Sequence, residues 1–247
     1  MSGHSKWSTI KHKKAAADAK RGKVFTQVAK EITIAAREGG GDPMSNTRLR
    51  LAMDKARAAN MPKDNVERAV KRGTGEIEGL ELIEAVYEGY APHGIGLLIE
   101  VVTDNRNRAV ADLRHTLNKY GGNMAEAGAV SWQFTRKGYI NITQEVDQDE
   151  LFMVAADAGA DDIQFGETVE IYVTLENFHP VRMALEEAGY EMEEASVIYA
   201  ADNPIELGPT EATQVLNFIE KLEDLDDVQN VYSSLEVTEE VMALMEA

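Results

Sequence analysis

Cysteine is absent from the 247 residues. Disulfides, Cys-based zinc sites, iron–sulfur clusters and thiol nucleophiles are therefore excluded. No apolar run approaches ~18 residues, so no membrane span is expected. The first residues form no apolar h-region, so a secretory leader is not expected. Ser2 in place of Gly fails the myristoylation pattern. The start is basic and contains Ser, as a mitochondrial transit peptide would be. It is rich in Lys rather than Arg, however, and runs directly into a helical pattern. The expected setting is the cytoplasm.

Catalytic signatures are missing as well. There is no Gly-x-Ser-x-Gly, no His-Glu-x-x-His and no Walker motif. The five histidines are His4, His12, His93, His115 and His179, and no two have the i,i+4 spacing of a helical zinc site. Acidic pairs such as Asp161-Asp162 and Asp226-Asp227 read as solvated surface. Neither enzymatic activity nor a metal or cofactor is expected.

What is present is an ordinary globular composition, 44% apolar and 28% charged, with an uneven charge. The formal net charge is −18. Residues 1–75 hold 17 Lys and Arg against 7 Asp and Glu, whereas the remainder holds 8 against 36. A basic segment joined to an acidic body is the footprint of a polyanion-binding face. The acidic body repels the same polyanion and so restricts its approach.

The pattern divides the chain. Residues 9–38 read as helix, with Val24, Phe25, Val28, Ile32, Ala35 and Ala36 at helical spacing. Gly39-Gly40-Gly41 and Asp42-Pro43 end it; the glycines follow a helix rather than a strand, so they are a connector and no phosphate loop. A second helix spans 45–60, with Arg48 and Lys55 on one flank of its apolar stripe and Arg50 and Arg57 on the other. A third starts at Pro62 and runs to Gly73. Its Lys71 and Arg72 are accounted for by the helix dipole and are discounted as ligands.

From residue 83 strands take over. "IEAVYEGYA" and "GIGLLIEVV" read as a hairpin turning at Pro92-His93-Gly94, followed by a helix over "NRNRAVADLRHTLNKYGG" and a strand over "AVSWQFT". Next comes an internal repeat: "GYINIT" before a helix over 151–163, then "EIYVT" before a helix over 179–193. Met153/Met183, Ala158/Ala188 and Gly159/Gly189 recur at an offset of 30 residues. Two βαβ units of this length imply a ferredoxin-like sandwich, closed by the strand at 195–200. A last helix at 211–225 and strand at 228–235 supply the missing half of the unit begun at residue 83. The expected fold is α+β in three domains: a basic helical domain (1–79), a discontinuous α/β domain (80–136 with 203–247) and an inserted ferredoxin-like βαββαβ domain (137–202).

Two segments are candidate binding sites. In "GHSKWSTIKHKK", Lys6, Lys11, Lys13 and Lys14 surround Trp7 beside His12, and Lys20, Arg21, Lys23 and Lys30 follow. Lysines attract phosphates whatever the base sequence, and an aromatic among them can stack on an exposed base. The alternative is that Trp7 tucks into the helical domain. In "TDNRNR", Arg106 and Arg108 stand in a first helical turn, where the dipole disfavours cations unless an anion binds there. Otherwise they pair with nearby acids. His93, at the hairpin tip, is expected to be exposed.

The blocks "GHSKWSTIKHKKAAADAKRGKVF", "GGGDP", "NTRLR", "MPKDNVERAVKRG", "YEGYAPHGIGLLIEVVTDNRNR" and "GAVSWQF" resemble, in order and from end to end, the YebC/PmpR family of bacterial proteins. The resemblance implies three domains, one helical and two α/β, and a cytoplasmic DNA-binding regulator of transcription. It also implies a competing role, because related proteins act in translation on the ribosome, particularly through proline-rich stretches. Nucleic-acid contact carries over to Lys6, Trp7, Lys11, His12, Lys13, Lys14, Lys20, Arg21 and Lys23, and further to Arg106 and Arg108. The flanking cations Arg48, Arg50, Lys55 and Arg57 join them as candidates from the helix reading. The expected partner is thus DNA, or alternatively ribosomal RNA, with a further protein partner possible on the acidic domains. A metal-dependent nuclease would need clustered carboxylates near the basic face, and Asp104 alone is no cluster.

Overall fold

A computed structural model describes residues 18–79, 81–166 and 168–246. The described part of the helical segment holds three helices, α1 (Asp18–Gly39), α2 (Thr47–Ala58) and α3 (Lys63–Gly73). Asn46 stitches α1 to α2. Its Oδ1 accepts the Leu49 N–H (3.0 Å), while its Nδ2 donates to the Ala35 (2.7 Å) and Gly40 (2.8 Å) carbonyls. One side chain therefore caps a helix start and satisfies the preceding helix end. Val28, Ile32, Ala35 and Ala36 of α1 meet Leu49, Ala52 and Ala56 of α2 and Ala69 of α3 in a small dry core. Gly73 lets α3 close on α1, because a Cβ there would collide with the Thr33 carbonyl oxygen.

The first sheet has four strands. Strands β1 (Ile83–Tyr90) and β2 (Gly96–Thr103) form the antiparallel hairpin, paired from Ile83↔Thr103 to Tyr90↔Gly96. β3 (Asn123–Met124) and β9 (Val228–Ser233) add on either side. Alternation along β2 turns Leu97, Ile99 and Val101 to one face. There they pack with Leu113 and Leu117 of α4 (Arg106–Lys119) and with Val215, Leu216, Ile219 and Leu222 of α7 (Pro209–Glu223). A short parallel pair, β8 (Ile205–Glu206) with β10 (Leu235–Glu236), and a last helix, α8 (Glu239–Glu246), complete this part.

Residues 133–202 form a separate compact unit. Its elements are β4 (Phe134–Ile142), α5 (Gln148–Asp157), β5 (Asp162–Phe165), β6 (Val169–Val173), α6 (Phe178–Glu187) and β7 (Glu194–Ala201). The sheet order is β5-β6-β4-β7 with every neighbouring pair antiparallel. That is the ferredoxin-like βαββαβ arrangement, and the α+β class expected above is the class observed. The 30-residue repeat has a structural counterpart. α5 and α6 are each capped by an alanine, Ala158 and Ala188, followed by Gly159 (φ 100°) and Gly189 (φ 88°) in the left-handed conformation that terminates a helix.

Three local expectations are corrected, the first being the helix over 179–193, which stops at Glu187 because Gly189 reverses the chain. The helix expected over 151–163 stops at Asp157, because Gly159 reverses the chain, and Asp162–Phe165 is strand β5. The strand expected over "AVSWQFT" begins only at Phe134; Ser131–Gln133 is a 3-10 turn. The cause is Glu88, a buried carboxylate on β1. It accepts the N–H groups of Gly128 (2.7 Å), Val130 (2.7 Å) and Ser131 (3.0 Å), which removes those amides from any ladder. Burial raises the Glu88 pKa, but these backbone hydrogen bonds outweigh it and hold the carboxyl below its ordinary range.

The first and last strands of the compact unit pair with each other, Phe134 opposite Ala201, and the Asp202 N–H donates to the Gln133 carbonyl at 2.8 Å. Its two chain ends are therefore adjacent. If 137–202 is an inserted domain, as we propose, replacing 133–202 with a short Gly-Ser linker is expected to leave the remainder folding cooperatively. A broad, non-cooperative urea transition of the excised protein would contradict that partition.

Candidate nucleic-acid interface

Lys6, Trp7, Lys11, His12, Lys13 and Lys14 lie outside the described residues. Lys20 and Arg21 fall in the opening turns of α1. From Lys23 onward each predicted cation has a place, and the cations sort into three kinds.

The first kind ties α1 to the first sheet. Lys23, Gln27 and Lys30 follow one another at i, i+4 and i+7 and so share a stripe of the helix. Lys23 donates to the Glu223 carbonyl, at the end of α7 where backbone acceptors lack helical partners and a cation is favoured. Gln27 donates to the Val228 carbonyl at 2.7 Å. Lys30 donates to the carbonyls of Val102 and Asp226 and to Asp227 Oδ1, each at 2.9 Å.

Asp227 is the centre of this contact. Its side chain is 10% exposed. Oδ1 takes Lys30, and Oδ2 takes both Arg108 (2.9 Å) and the Thr103 hydroxyl (2.9 Å). Burial pushes the carboxyl up, but the hydrogen bonds from Lys30, Arg108 and Thr103 prevail and hold it below the usual carboxylate range. The expectation of solvated surface is corrected for Asp227: it is buried because β9 starts beside it and two cations converge on it. Nothing in the sequence separates it from its exposed neighbour Asp226.

The second kind consists of cations held by carboxylates. Arg108, in the first turn of α4, spans Asp104 (2.7 Å) and Asp227. Of the alternatives for this turn, its guanidinium thus takes the intramolecular acids. Arg48 reaches Glu38 (2.6 Å) and Glu84, Lys55 reaches Glu31 (3.2 Å), and Arg57 reaches Asp54 (2.9 Å).

The third kind has no carboxylate within salt-bridge distance among the described residues. Arg50 touches only the Thr47 hydroxyl at 3.4 Å. Arg106 donates from Nε to the Tyr87 hydroxyl at 3.3 Å and is otherwise exposed. Arg68, Lys71 and Arg72 on α3 belong here too, although the sequence pattern assigns Lys71 and Arg72 to the helix dipole and does not single out Arg68. His93 is exposed at the hairpin tip, as expected, and its Nε2 lies 3.0 Å from Gln214 Oε1. Among the described residues no group of three or more His, Asp or Glu is arranged to hold a metal ion. No described helix is long and apolar enough to cross a membrane.

Two family models match the chain. One describes the TACO1/YebC N-terminal domain and covers residues 5–76; the other describes the TACO1/YebC second and third domain and covers residues 82–235. A "Probable transcriptional regulatory protein" of Acidithiobacillus ferrooxidans is 52% identical, with 100% of this chain and 99% of that one covered. A protein of the same description from Geobacter sulfurreducens is 53% identical over 99% of this chain and 100% of its own length. One from Thermotoga maritima is 52% identical, over 98% and 96%. The crystal structure of a conserved hypothetical protein from Aquifex aeolicus superposes with a TM-score of 0.84 at 43% identity, covering 93% of this chain and 96% of that one.

Asp227→Ala leaves Lys30 and Arg108 facing an apolar methyl group. Because Arg108 is half exposed, the destabilisation should lie at the low end for a broken buried pair, about 3 kcal/mol. The sign with pH follows from the depressed carboxyl. Its stabilisation is complete above the unfolded value, about 3.9, and is lost as pH falls through the folded value. Urea unfolding should therefore show wild type and variant converging below about pH 4. A difference independent of pH would contradict the role given to Asp227.

Proposed function

The chain belongs to the TACO1/YebC family, and from that premise we propose that it is a nucleic-acid-binding regulator of transcription that grips DNA with its basic arm and helical domain. The description shared by its relatives supports a regulatory role. The observation that carries the binding is the separation of charge, 17 cations against 7 acids in residues 1–75 and 8 against 36 beyond. Lys6, Lys11, Lys13, Lys14, Lys20 and Arg21 supply attraction to phosphates, and Trp7 supplies a surface for a base. Arg50 and Arg106 add heads that no nearby carboxylate neutralises. Arg48 and Arg57 can exchange an exposed acid for a phosphate, since such surface pairs contribute only about 0–1 kcal/mol. Lys30 and Arg108 are held too firmly by Asp227 to take part. The acidic remainder repels the polyanion and orients its approach. The protein acts in the cytoplasm without catalysis.

A second reading keeps the same surface and changes the target. Sequence-specific DNA readout needs side chains that reach base edges from a helix in the major groove. On α2 the arginines Arg48 and Arg57 are turned onto carboxylates, and no Asn or Gln shares their helix. That favours recognition by shape and phosphate, as with structured RNA. The target would then be ribosomal RNA, and the protein would assist synthesis of proline-rich stretches.

Reversing Lys11, Lys13 and Lys14 to Glu should weaken binding to all nucleic-acid sequences alike. It should also flatten the dependence of log K on log salt, by about one unit for each phosphate no longer neutralised. Fluorescence anisotropy across a salt series reads both quantities. Unchanged affinity and slope would sink the arm as the binding element.

A further inference from the structure

A cluster of exposed cations without ion-pair partners among the described residues lies on α3. With 100° between successive residues, Arg68, Lys71 and Arg72 fall within an arc of about 100°. Val66, Val70 and Gly73 lie on the opposite side, where Gly73 abuts α1, and the buried Ala69 stands between the two faces. All three cations are exposed, and among the described residues no carboxylate lies within salt-bridge distance of any of them. On the neighbouring helix α2, Arg48, Lys55 and Arg57 each meet an acid while Arg50 meets none among the described residues; on α3 itself, Lys63 meets Glu67 at 4.0 Å.

The helix dipole does not account for this arrangement. Its effect is confined to the last turn, and Arg68 sits mid-helix. The end of α3 also needs no side-chain donors. The Thr74 N–H reaches the Val70 carbonyl (2.9 Å), Gly75 reaches Arg72 (3.2 Å) and Glu76 reaches Lys71 (2.9 Å). Lys71 and Arg72 are thus released from capping and can point outward. The stem of Arg72 lies along Gly79, where a Cβ would stand 3.3 Å from its Cγ. That packing limits how far the guanidinium can swing. Asp64 and Glu67 stand one turn before Arg68 and Lys71 without coming within salt-bridge distance of them, so the three cation heads stay open to an anion with repeated charges. A guanidinium fork in particular matches phosphate oxygens two at a time.

We propose that Arg68, Lys71 and Arg72 form a phosphate-gripping face on α3 that binds a phosphodiester backbone in addition to the arm. This rests on the nucleic-acid-binding reading above, and the test separates the two.

The full chain is titrated into a fluorescein-labelled DNA duplex and, separately, a labelled RNA hairpin, between about 50 and 200 mM salt. The wild type is compared with Arg68→Gln/Lys71→Gln/Arg72→Gln. A control, Lys119→Gln/Lys137→Gln/Lys221→Gln, makes the same change in net charge elsewhere. The α3 variant is expected to bind about tenfold more weakly at the low-salt end, with a slope reduced by about 2 to 3, and the control is expected to change much less. Weakening on one nucleic acid alone identifies the source of the phosphates; weakening on both shows that either serves. Arg68→Lys/Arg72→Lys, which keeps the charge, should retain the slope, with helix content checked by circular dichroism. If the wild type binds and the Gln variant matches either the wild type or the control, the α3 face is overturned and the proposed function stands. If the Lys variant is weakened as much as the Gln variant, a structural role replaces the electrostatic one and the proposal fails. If the wild type shows no salt-dependent binding, the nucleic-acid-binding reading fails and the α3 face falls with it.

Discussion

A single buried carboxylate, Asp227, joins the basic helices to the first sheet. Lys30 comes to it from the middle of α1, Arg108 from the start of α4 and Thr103 from the end of β2. Without it, Lys30 and the half-exposed Arg108 would face each other with no carboxylate between them. With it, each has a partner, and the residual positive charge is offset by the Val102 and Asp226 carbonyls that Lys30 also reaches. Buried ion pairs of this kind contribute more to a fixed geometry than to net stability when set against an apolar alternative. Here the geometry fixed is that of α1 against the end of α7 and the start of β9.

That anchoring determines which charges remain for a partner. Lys23 and Lys30 are used inward, and Arg108 is held at the α4 terminus by two acids. On α2 the cations Arg48, Lys55 and Arg57 are balanced by Glu31, Glu38, Asp54 and Glu84. The surplus of the basic segment is therefore not spread over its surface. Within the described residues it is concentrated on α3 and on Arg50 of α2. Residue counts alone would distribute binding over cations that internal partners already occupy.

Features set by local physics were legible in the sequence. The hairpin about Pro92-His93-Gly94 follows from alternation and turn chemistry, and His93 (φ 64°) and Gly94 (φ 77°) both occupy the left-handed region that such a turn needs. The repeated Ala-Gly ends of α5 and α6 mark the two βαβ halves because a helix stop is a local event. Features set by distant partners were not legible. Asp226 and Asp227 are neighbours of one chemistry, and only contacts with residues more than a hundred positions away distinguish them. The turn at Ser131–Gln133 carries a strand-like sequence that Glu88, over forty residues earlier, bends out of register. Lys71 and Arg72 look explained by the dipole because the sequence does not show that backbone amides already cap α3.

That the basic segment binds nucleic acid is tested most directly by crosslinking in cells, followed by sequencing of the bound nucleic acid. Wild type is compared with the variant in which Lys11, Lys13 and Lys14 are changed to Glu. The predicted result is a set of crosslinks that depend on these lysines. Peaks at promoters would identify a regulator of transcription, and concentration on ribosomal RNA would identify a translation factor working through the same surface. Crosslinks that are absent, or equally strong in the variant, would contradict the claim that the basic arm is what binds.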